Sequence, residues 1–372
     1  MPEAPRTGPV GVGVIGAGNV SAEYLRNLTA FPDTQVLAIG DQRPEVARAR
    51  ADEFEIPATG TADVVLEDPD VELVVNLTIP GAHAAVAVQA IDSGKHVWNE
   101  KPLAADRVAA LDLLGRAGSA GLRVGCAPDT FLGSGLQAAR RLIDGGAIGQ
   151  PLTALALMQS PGPDAWHPNP AFFFEEGAGP LFDIGPYYLT ALLQLLGPID
   201  RAAAIGSIAR ATRRVGAGPL AGSTFPVSTP SHVGALLGFA SGASAQAILS
   251  FDSPVHRVLL EVTGTDGTLV LPDPNTFGGD ICIRRAGAKT EETLATTTPR
   301  STRGTGVLEM ARAIRADRPH RADGALGFHV LEAMIAVRRS VAEGAFVPIE
   351  SSVERAPLLP DDWDPAAATL AR

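Results

Sequence analysis

Residues 10–21 constrain the fold most. Val10-Gly11-Val12-Gly13-Val14-Ile15 is a short apolar run that breaks directly into Gly16-Ala17-Gly18-Asn19-Val20-Ser21, where a helical pattern begins. A run this apolar suits a strand buried on both faces, and such a strand reaches a parallel neighbour only through a crossover helix. Gly16 suits the tight turn. Gly18 suits the close approach of a phosphate, whose charge then rests on the helix N-terminus. Ser21 takes the third-glycine place, where a small residue lets helix meet strand. A glycine pair alone is a weak signal, because an ordinary strand–helix turn can carry one; the flanking strand and helix give it weight.

The alternation repeats through the first third. Strands are expected over 35–40, 73–77, 96–98 and 123–126, between helices over 20–30, 43–54, 82–93 and 105–117. Buried strands alternating with helices make a doubly wound parallel sheet of Rossmann type. Beyond Pro151 strand follows strand: 152–159, 201–208, 235–240, 243–251, 258–263, 268–271 and 281–284, with helices over 187–196, 308–316 and 326–342. That pattern predicts an α+β domain with a large, mostly antiparallel open sheet. The expected division is a dinucleotide-binding domain over 1–128, a substrate-binding and oligomerisation domain over 129–350, and a Pro- and Asp-rich tail over 351–372 that wraps or frays.

Bulk properties exclude several roles. A net charge of −11 and a pI of about 5.1 oppose a phosphate-backbone partner, so no nucleic acid is expected. No apolar run approaches the roughly 18 residues of a membrane span, and residues 1–9 lack the apolar segment of a secretory signal. Cys126 and Cys282 lie far apart inside apolar segments and read as buried free thiols. A cytoplasmic protein without a membrane partner follows. No spacing of His, Cys, Asp or Glu suits a metal, and no Ser-His-Asp arrangement is indicated.

The strand ends carry candidate chemistry. Asp41 ends the second strand, where a carboxylate hydrogen-bonds the adenosine ribose and repels a 2′-phosphate. NAD is therefore the expected cofactor, while Arg43 beside it keeps NADP open. Asn76-Leu77-Thr78-Ile79-Pro80 follows the third strand, and His83 opens the next helix, where a histidine is more often structural than catalytic. Glu100-Lys101-Pro102 follows the fourth strand. Lys101 is thus expected to face the crevice at the carboxyl edge, where open α/β sheets hold ligands. A desolvated lysine polarises a substrate hydroxyl; a surface ion pair with Glu100 is the plainer alternative.

Gly16-Ala17-Gly18-Asn19, Asn76-Leu77-Thr78 with Pro80 and His83, and Gly94-Lys95-His96-Val97 leading into Glu100-Lys101-Pro102 together resemble the glucose–fructose oxidoreductase / inositol dehydrogenase / rhizopine-catabolism (Gfo/Idh/MocA) family. The resemblance runs from Val10 to about Ser340. It implies a Rossmann domain followed by a domain whose open sheet carries substrate contacts on one side and often oligomer contacts on the other, hence a homodimer or homotetramer. It implies that Lys101 is catalytic. The expected cofactor contacts are Gly16, Gly18, Asn19, Val20, Asp41, Gln42, Arg43, Asn76, Leu77, Thr78, Pro80, His83, Glu100 and Lys101. The family's second-domain motif keeps its aspartate as Asp183 but carries Tyr187 in the histidine place and Thr190 in that of the last aspartate. Asp183 and Tyr187 are four residues apart and share a face if helical. Tyr187 can move a proton if a nearby ammonium lowers its pKa. The alternative makes Asp183 a helix cap and Tyr187 a core filler.

Asp129 and Thr130, after the fifth strand, are expected to face the cleft. Trp166 is expected to stack on a sugar ring and His167 to bond a hydroxyl, with Lys101, Asp183 and Tyr187 completing the substrate contacts; a polar linker and an aromatic plug are the alternatives. His329, on the last helix, is a further candidate, although a helix histidine is usually structural. The expected activity is hydride transfer between a nicotinamide and a secondary alcohol of a sugar, polyol or related cyclic substrate. Two rivals stand beside it: glycoside hydrolysis through transient NAD oxidation, and a non-catalytic NAD-binding sensor.

Overall fold

The computed structural model describes residues 7–298 and 301–370, so the first six residues of the stretch read for a secretory signal lie outside the described residues. The chain divides into two compact units. The first comprises 1–133, 299–328 and 356–372, the second 134–298 and 329–355.

In the first unit the expected alternation is present. Its elements are β1 (Val10–Ile15), α1 (Ser21–Leu28), β2 (Thr34–Gly40), α2 (Pro44–Phe54), β3 (Ala58–Gly60), α3 (Asp63–Leu66), β4 (Leu73–Asn76), α4 (His83–Asp92), β5 (His96–Asn99), α5 (Arg107–Ser119) and β6 (Val124–Cys126). The six strands are all parallel, in the order β3-β2-β1-β4-β5-β6. Every residue of β1, β4 and β6 is buried, which is why those runs are apolar without alternation.

The second unit opens with α6 (Ser134–Asp144), a strongly amphipathic helix that was not among the expected elements. There follow β7 (Pro151–Gln159), α7 (Gly179–Asp183), α8 (Gly185–Leu196), β8 (Ile199–Ser207), β9 (Thr212–Arg214), β10 (Thr224–Pro226), β11 (His232–Phe239), β12 (Ser244–Ser250), β13 (Arg257–Gly264), β14 (Gly267–Leu271), β15 (Ile281–Arg285) and β16 (Glu292–Leu294). The chain then gives α9 (Thr305–Arg315) to the first unit. It continues through α10 (Gly324–Glu343), inside which the division falls, to β17 (Val347–Pro348). Nine strands form one sheet in the order β16-β15-β14-β13-β7-β12-β11-β8-β17, antiparallel except for the β7–β12 pair. This is the large, mostly antiparallel sheet expected. β9 and β10 make a separate ribbon. One face buries small and apolar residues such as Ala156, Ala247, Leu237 and Leu260. α8, buried along its whole length, packs beside β7.

Two expectations are corrected. A linear break at 128 is too simple, because residues 301–328 and 356–370 pack with the first unit. The segment expected over 351–372 to wrap or fray is also divided, and residues 363–370 wrap onto the first unit. Asp33 accepts the backbone N–H groups of Thr369 (3.0 Å) and Leu370 (3.1 Å) and pairs with Arg312 (2.7 Å), which also donates to the carbonyls of Asp364 and Ala367. Trp363 lies 4.5 Å from the same guanidinium. Both cysteines are free, but Cys282 is only half-buried, on the open face of the sheet. Among the described residues no helix is long and apolar enough to cross a membrane.

Candidate active site

Because β1, β2, β4 and β5 run parallel, their carboxyl ends bring Gly16, Asp41, Leu77 and Glu100 to one edge of the first sheet. Backbone bonds extend the ladder past the strands: Gly16 N–H donates to the Gly40 carbonyl (2.8 Å), Leu77 N–H to Ile15 (2.8 Å) and Glu100 N–H to Asn76 (2.9 Å). The candidate cofactor and lysine segments are therefore neighbours on one rigid rim.

The glycine loop fits a dinucleotide. Gly16 has φ +104°, and a Cβ there would lie 2.6 Å from the Leu77 carbonyl group, so only glycine fits. A Cβ on Gly18 would meet no protein atom within 4 Å. Its open space is thus available to an approaching group rather than filled by packing. No side chain caps α1, which leaves its first turn suited to an anion. Ser21 is buried and donates to the Gly18 carbonyl (2.6 Å). Asp41 closes the loop, accepting Ala17 N–H at Oδ2 (2.8 Å) and Arg43 N–H at Oδ1 (2.9 Å). Asn19, Gln42, Arg43 and Pro80 are exposed around this rim, and Val20 and Thr78 are half-buried.

The other polar residues of the rim are committed to the protein. Asn76 donates to the His83 carbonyl and to Asn99 Oδ1, and accepts from the Thr78 hydroxyl (2.7 Å). It shapes the strip that it was expected to present, and Leu77 is buried with it. His83 is buried too. Its Nδ1 faces the Pro102 carbonyl (2.7 Å) and its Nε2 the Thr78 carbonyl (3.0 Å), so it ties the strip to the lysine segment and offers no nitrogen to a ligand. Burial lowers its pKa, against the pull of those two carbonyls. This corrects its assignment as a cofactor contact.

Glu100 is committed to the protein as well. It is buried; Tyr24 on α1 donates its hydroxyl to Oε1 (2.8 Å), and the Lys101 backbone N–H donates to Oε2 (2.9 Å). Trp98 Nε1 donates to the Tyr24 hydroxyl at 3.4 Å. Tyr24 was not singled out from sequence, where it reads only as the apolar face of α1. Lys101 itself gains weight from a census. The chain has only three lysines, Lys95, Lys101 and Lys289, among 30 basic Lys and Arg residues. Lys95 is spent on the Asp68 and Val71 carbonyls. Arginine cannot be deprotonated in proteins, so a lysine retained at this rim is the chemically distinct choice.

Asp129 and Thr130 do not face a cleft. Both are buried, and Asp129 Oδ2 accepts the N–H groups of Gly304 (2.9 Å) and Gly306 (3.0 Å) at the start of α9. Burial, opposed by those two bonds, pushes its carboxyl up to about 6.

In the second unit Asp183 ends α7 and Tyr187 lies in the first turn of α8, with Ile184 between the helices. Ile184 stands at the α8 N-cap position, one residue after Asp183. Tyr187 is buried and Asp183 half-buried. Tyr188 donates to the Leu157 carbonyl (3.2 Å), a packing role. Trp166 is 65% exposed, so the aromatic-plug alternative fails for it. His167 sits edge-on among Trp166, Phe172 and Phe173, with ring centroids 5.3–5.5 Å apart. The base of this loop is pinned by Arg213, missed from sequence. It pairs with Asp164 and Asp252, donates to the Pro161 and Phe251 carbonyls, and lies 4.7 Å from the Phe174 ring centre. His329 is structural: Nε2 accepts the Ile199 N–H (3.1 Å) and Nδ1 meets Ser351.

Residues 10–127 match the profile of an oxidoreductase family with an NAD-binding Rossmann fold (GFO/IDH/MocA), and residues 136–270 match a GFO/IDH/MocA C-terminal domain. An inositol 2-dehydrogenase/D-chiro-inositol 3-dehydrogenase of Lacticaseibacillus casei is 30% identical over 41% of this chain and 45% of its own length. The chain thus spans under half of that relative. A 1,5-anhydro-D-fructose reductase of Ensifer adhaerens is 26% identical over 92% of this chain and 99% of its own. The solved structure of an NAD binding oxidoreductase from Klebsiella pneumoniae matches with a TM-score of 0.81 at 22% identity, covering 92% of this chain and 100% of that one; the likeness is one of fold.

Proposed function

The chain belongs to the GFO/IDH/MocA oxidoreductase family, and on that premise we propose that it transfers a hydride between a nicotinamide cofactor and a secondary alcohol of a sugar, polyol or related cyclic substrate. The observation that carries this reading is Lys101, one of three lysines, at the carboxyl edge of the parallel sheet with its peptide N–H held by Glu100. When bound, the nicotinamide supplies the site that accepts or donates the hydride. Lys101 polarises the substrate hydroxyl, Tyr187 takes its proton, and Asp183 orients the pair. Trp166 offers a face for a sugar ring and His167 a partner for a hydroxyl. The inositol and anhydro-sugar names of the relatives support this substrate class.

NAD is the proposed cofactor over NADP. Asp41, fixed by two backbone donors, holds a carboxylate where a 2′-phosphate would have to sit. Two free cysteines support a reducing, cytoplasmic setting. A second copy of the chain is the proposed occupant of the open sheet face. Register puts Leu236, Leu155, Ile248 and Ile205 on that face; Ile205 is 79% and Leu236 49% exposed. Such a face pairs with itself in a homodimer or homotetramer, and light scattering would find an Ile205→Asp/Leu236→Lys variant monomeric.

The test is NADH formation over a panel of inositols, pyranoses and anhydro-sugars, offered NAD or NADP. Lys101→Ala should lose turnover by about 10²–10⁴-fold with NAD affinity nearly unchanged. Comparable loss of both removes the role given to Lys101. Hydrolysed glycoside without NADH accumulation points to transient redox, and tight NAD binding with no turnover points to a sensor.

A further inference from the structure

We propose that Tyr24 is a positioning residue for Lys101, acting through Glu100 and linking the dinucleotide helix to the lysine. The inference rests on the reading of Lys101 given above. The two oxygens of the Glu100 carboxylate face opposite ways along the chain: Oε1 receives the hydroxyl of Tyr24 on α1, and Oε2 receives the backbone N–H of Lys101. α1 is the helix opened by Gly16-Ala17-Gly18, so the element suited to the pyrophosphate is joined to the lysine by one side-chain bridge. Tyr24 and Trp98 have no accessible surface, and Glu100 keeps only 8%.

The Tyr24 hydroxyl stays protonated, because burial and the charges of Glu100 and Asp129 raise its pKa well above the usual phenol value. It is a permanent donor. The charged groups that act on it are Glu100 beyond β5, Asp129 beyond β6 and Arg303 before α9, and Trp98 of β5 donates to it. Without this hydroxyl a buried carboxylate oxygen loses its donor, and the carboxylate loses its fixed orientation. The Lys101 peptide would then lose its acceptor.

The test is Tyr24→Phe in the full chain, which keeps the ring and removes one oxygen. The expected result is a kcat about ten-fold lower or worse and a dissociation constant for NAD within about three-fold of the parent. A second readout needs no turnover. Reductive ¹³C-methylation labels three lysines and the amino terminus, and Lys101→Arg identifies the Lys101 signal. Tyr24→Phe should displace that signal and leave Lys95 and Lys289 in place. In a Glu100→Gln background Tyr24→Phe should add nothing. An unmoved Lys101 signal, movement of all three lysines together, or additive effects in the double variant would overturn the proposal. If the parent turns over no substrate, the proposed function falls while the methyl signals still decide the role of Tyr24.

Discussion

Asp41 Oδ2 accepts the backbone N–H of Ala17 across 2.8 Å, although 24 residues separate the two. One carboxylate thereby braces the glycine loop and fixes its own charge at the end of β2. Asp41→Ser is expected to raise the ratio of kcat/KM for NADP over NAD by about 100-fold, with Arg43 free to meet the 2′-phosphate. Steady-state kinetics with both cofactors check this.

The two glycines of the loop should fail differently. Gly16→Ala forces a side chain into φ +104° and against the Leu77 carbonyl group, so a loss of about 2–4 kcal/mol in unfolding free energy is expected. Gly18→Ala meets no protein atom. That variant should melt like the parent and bind NAD at least ten-fold more weakly by calorimetry.

Burial lowers the pKa of four histidines: His83, His96, His320 and His329. His96, lowered from 6.5 to about 4, accepts the Arg123 N–H at Nδ1. In the unfolded chain it binds a proton near pH 6.5, in the folded chain only near 4. Its effect on stability is therefore nil above about 6.5, and the fold weakens as pH falls from there to about 4. His96→Gln should remove roughly 2–3 kcal/mol of that acid sensitivity, measured as urea midpoints between pH 4 and 7.

Asp129 has the opposite sign. Its folded carboxyl is raised from 3.8 to about 6, so the folded state holds the proton more tightly and stability falls as pH rises through that window. Asp129→Asn has no proton to lose. Its stability relative to the parent should climb between pH 4 and 7 by on the order of 2 kcal/mol, which paired denaturation curves would detect.

The aromatic loop offers a separable pair. Arg213→Met leaves Asp164 and Asp252 buried without their cation and should cost about 3–5 kcal/mol. Trp166→Ala, at an exposed position, should leave the melting temperature within about 1 °C and raise KM for the sugar. Calorimetry and kinetics on both variants separate scaffold from contact.

The first sheet was legible because β1, β4 and β6 are continuous apolar runs, and the second because strand followed strand without crossover helices. β3 was missed: it has three residues, all half-buried, and no periodicity. The discontinuous first unit was missed because membership is decided by contacts such as Asp33 with Arg312 and Thr369, which leave no local pattern. The positions of Gly16, Asp41 and Lys101 followed from strand ends. Whether a polar residue near them faces a ligand or the protein did not follow, and there Asn76, His83, Glu100 and Asp129 turned out to be bound to backbone or to one another. Tyr24 was hidden because its hydroxyl finds its partner 76 residues away.

The clasp at Asp33 also sets a schedule for the nascent chain. Thr369 leaves the ribosome 336 residues after Asp33. At roughly 5–20 residues per second that is a wait of about 20–70 s. The second unit has all its residues once 355 has emerged, whereas the first waits for residues 356–370. Translation therefore leaves Asp33 without the N–H groups of Thr369 and Leu370 until those residues are made.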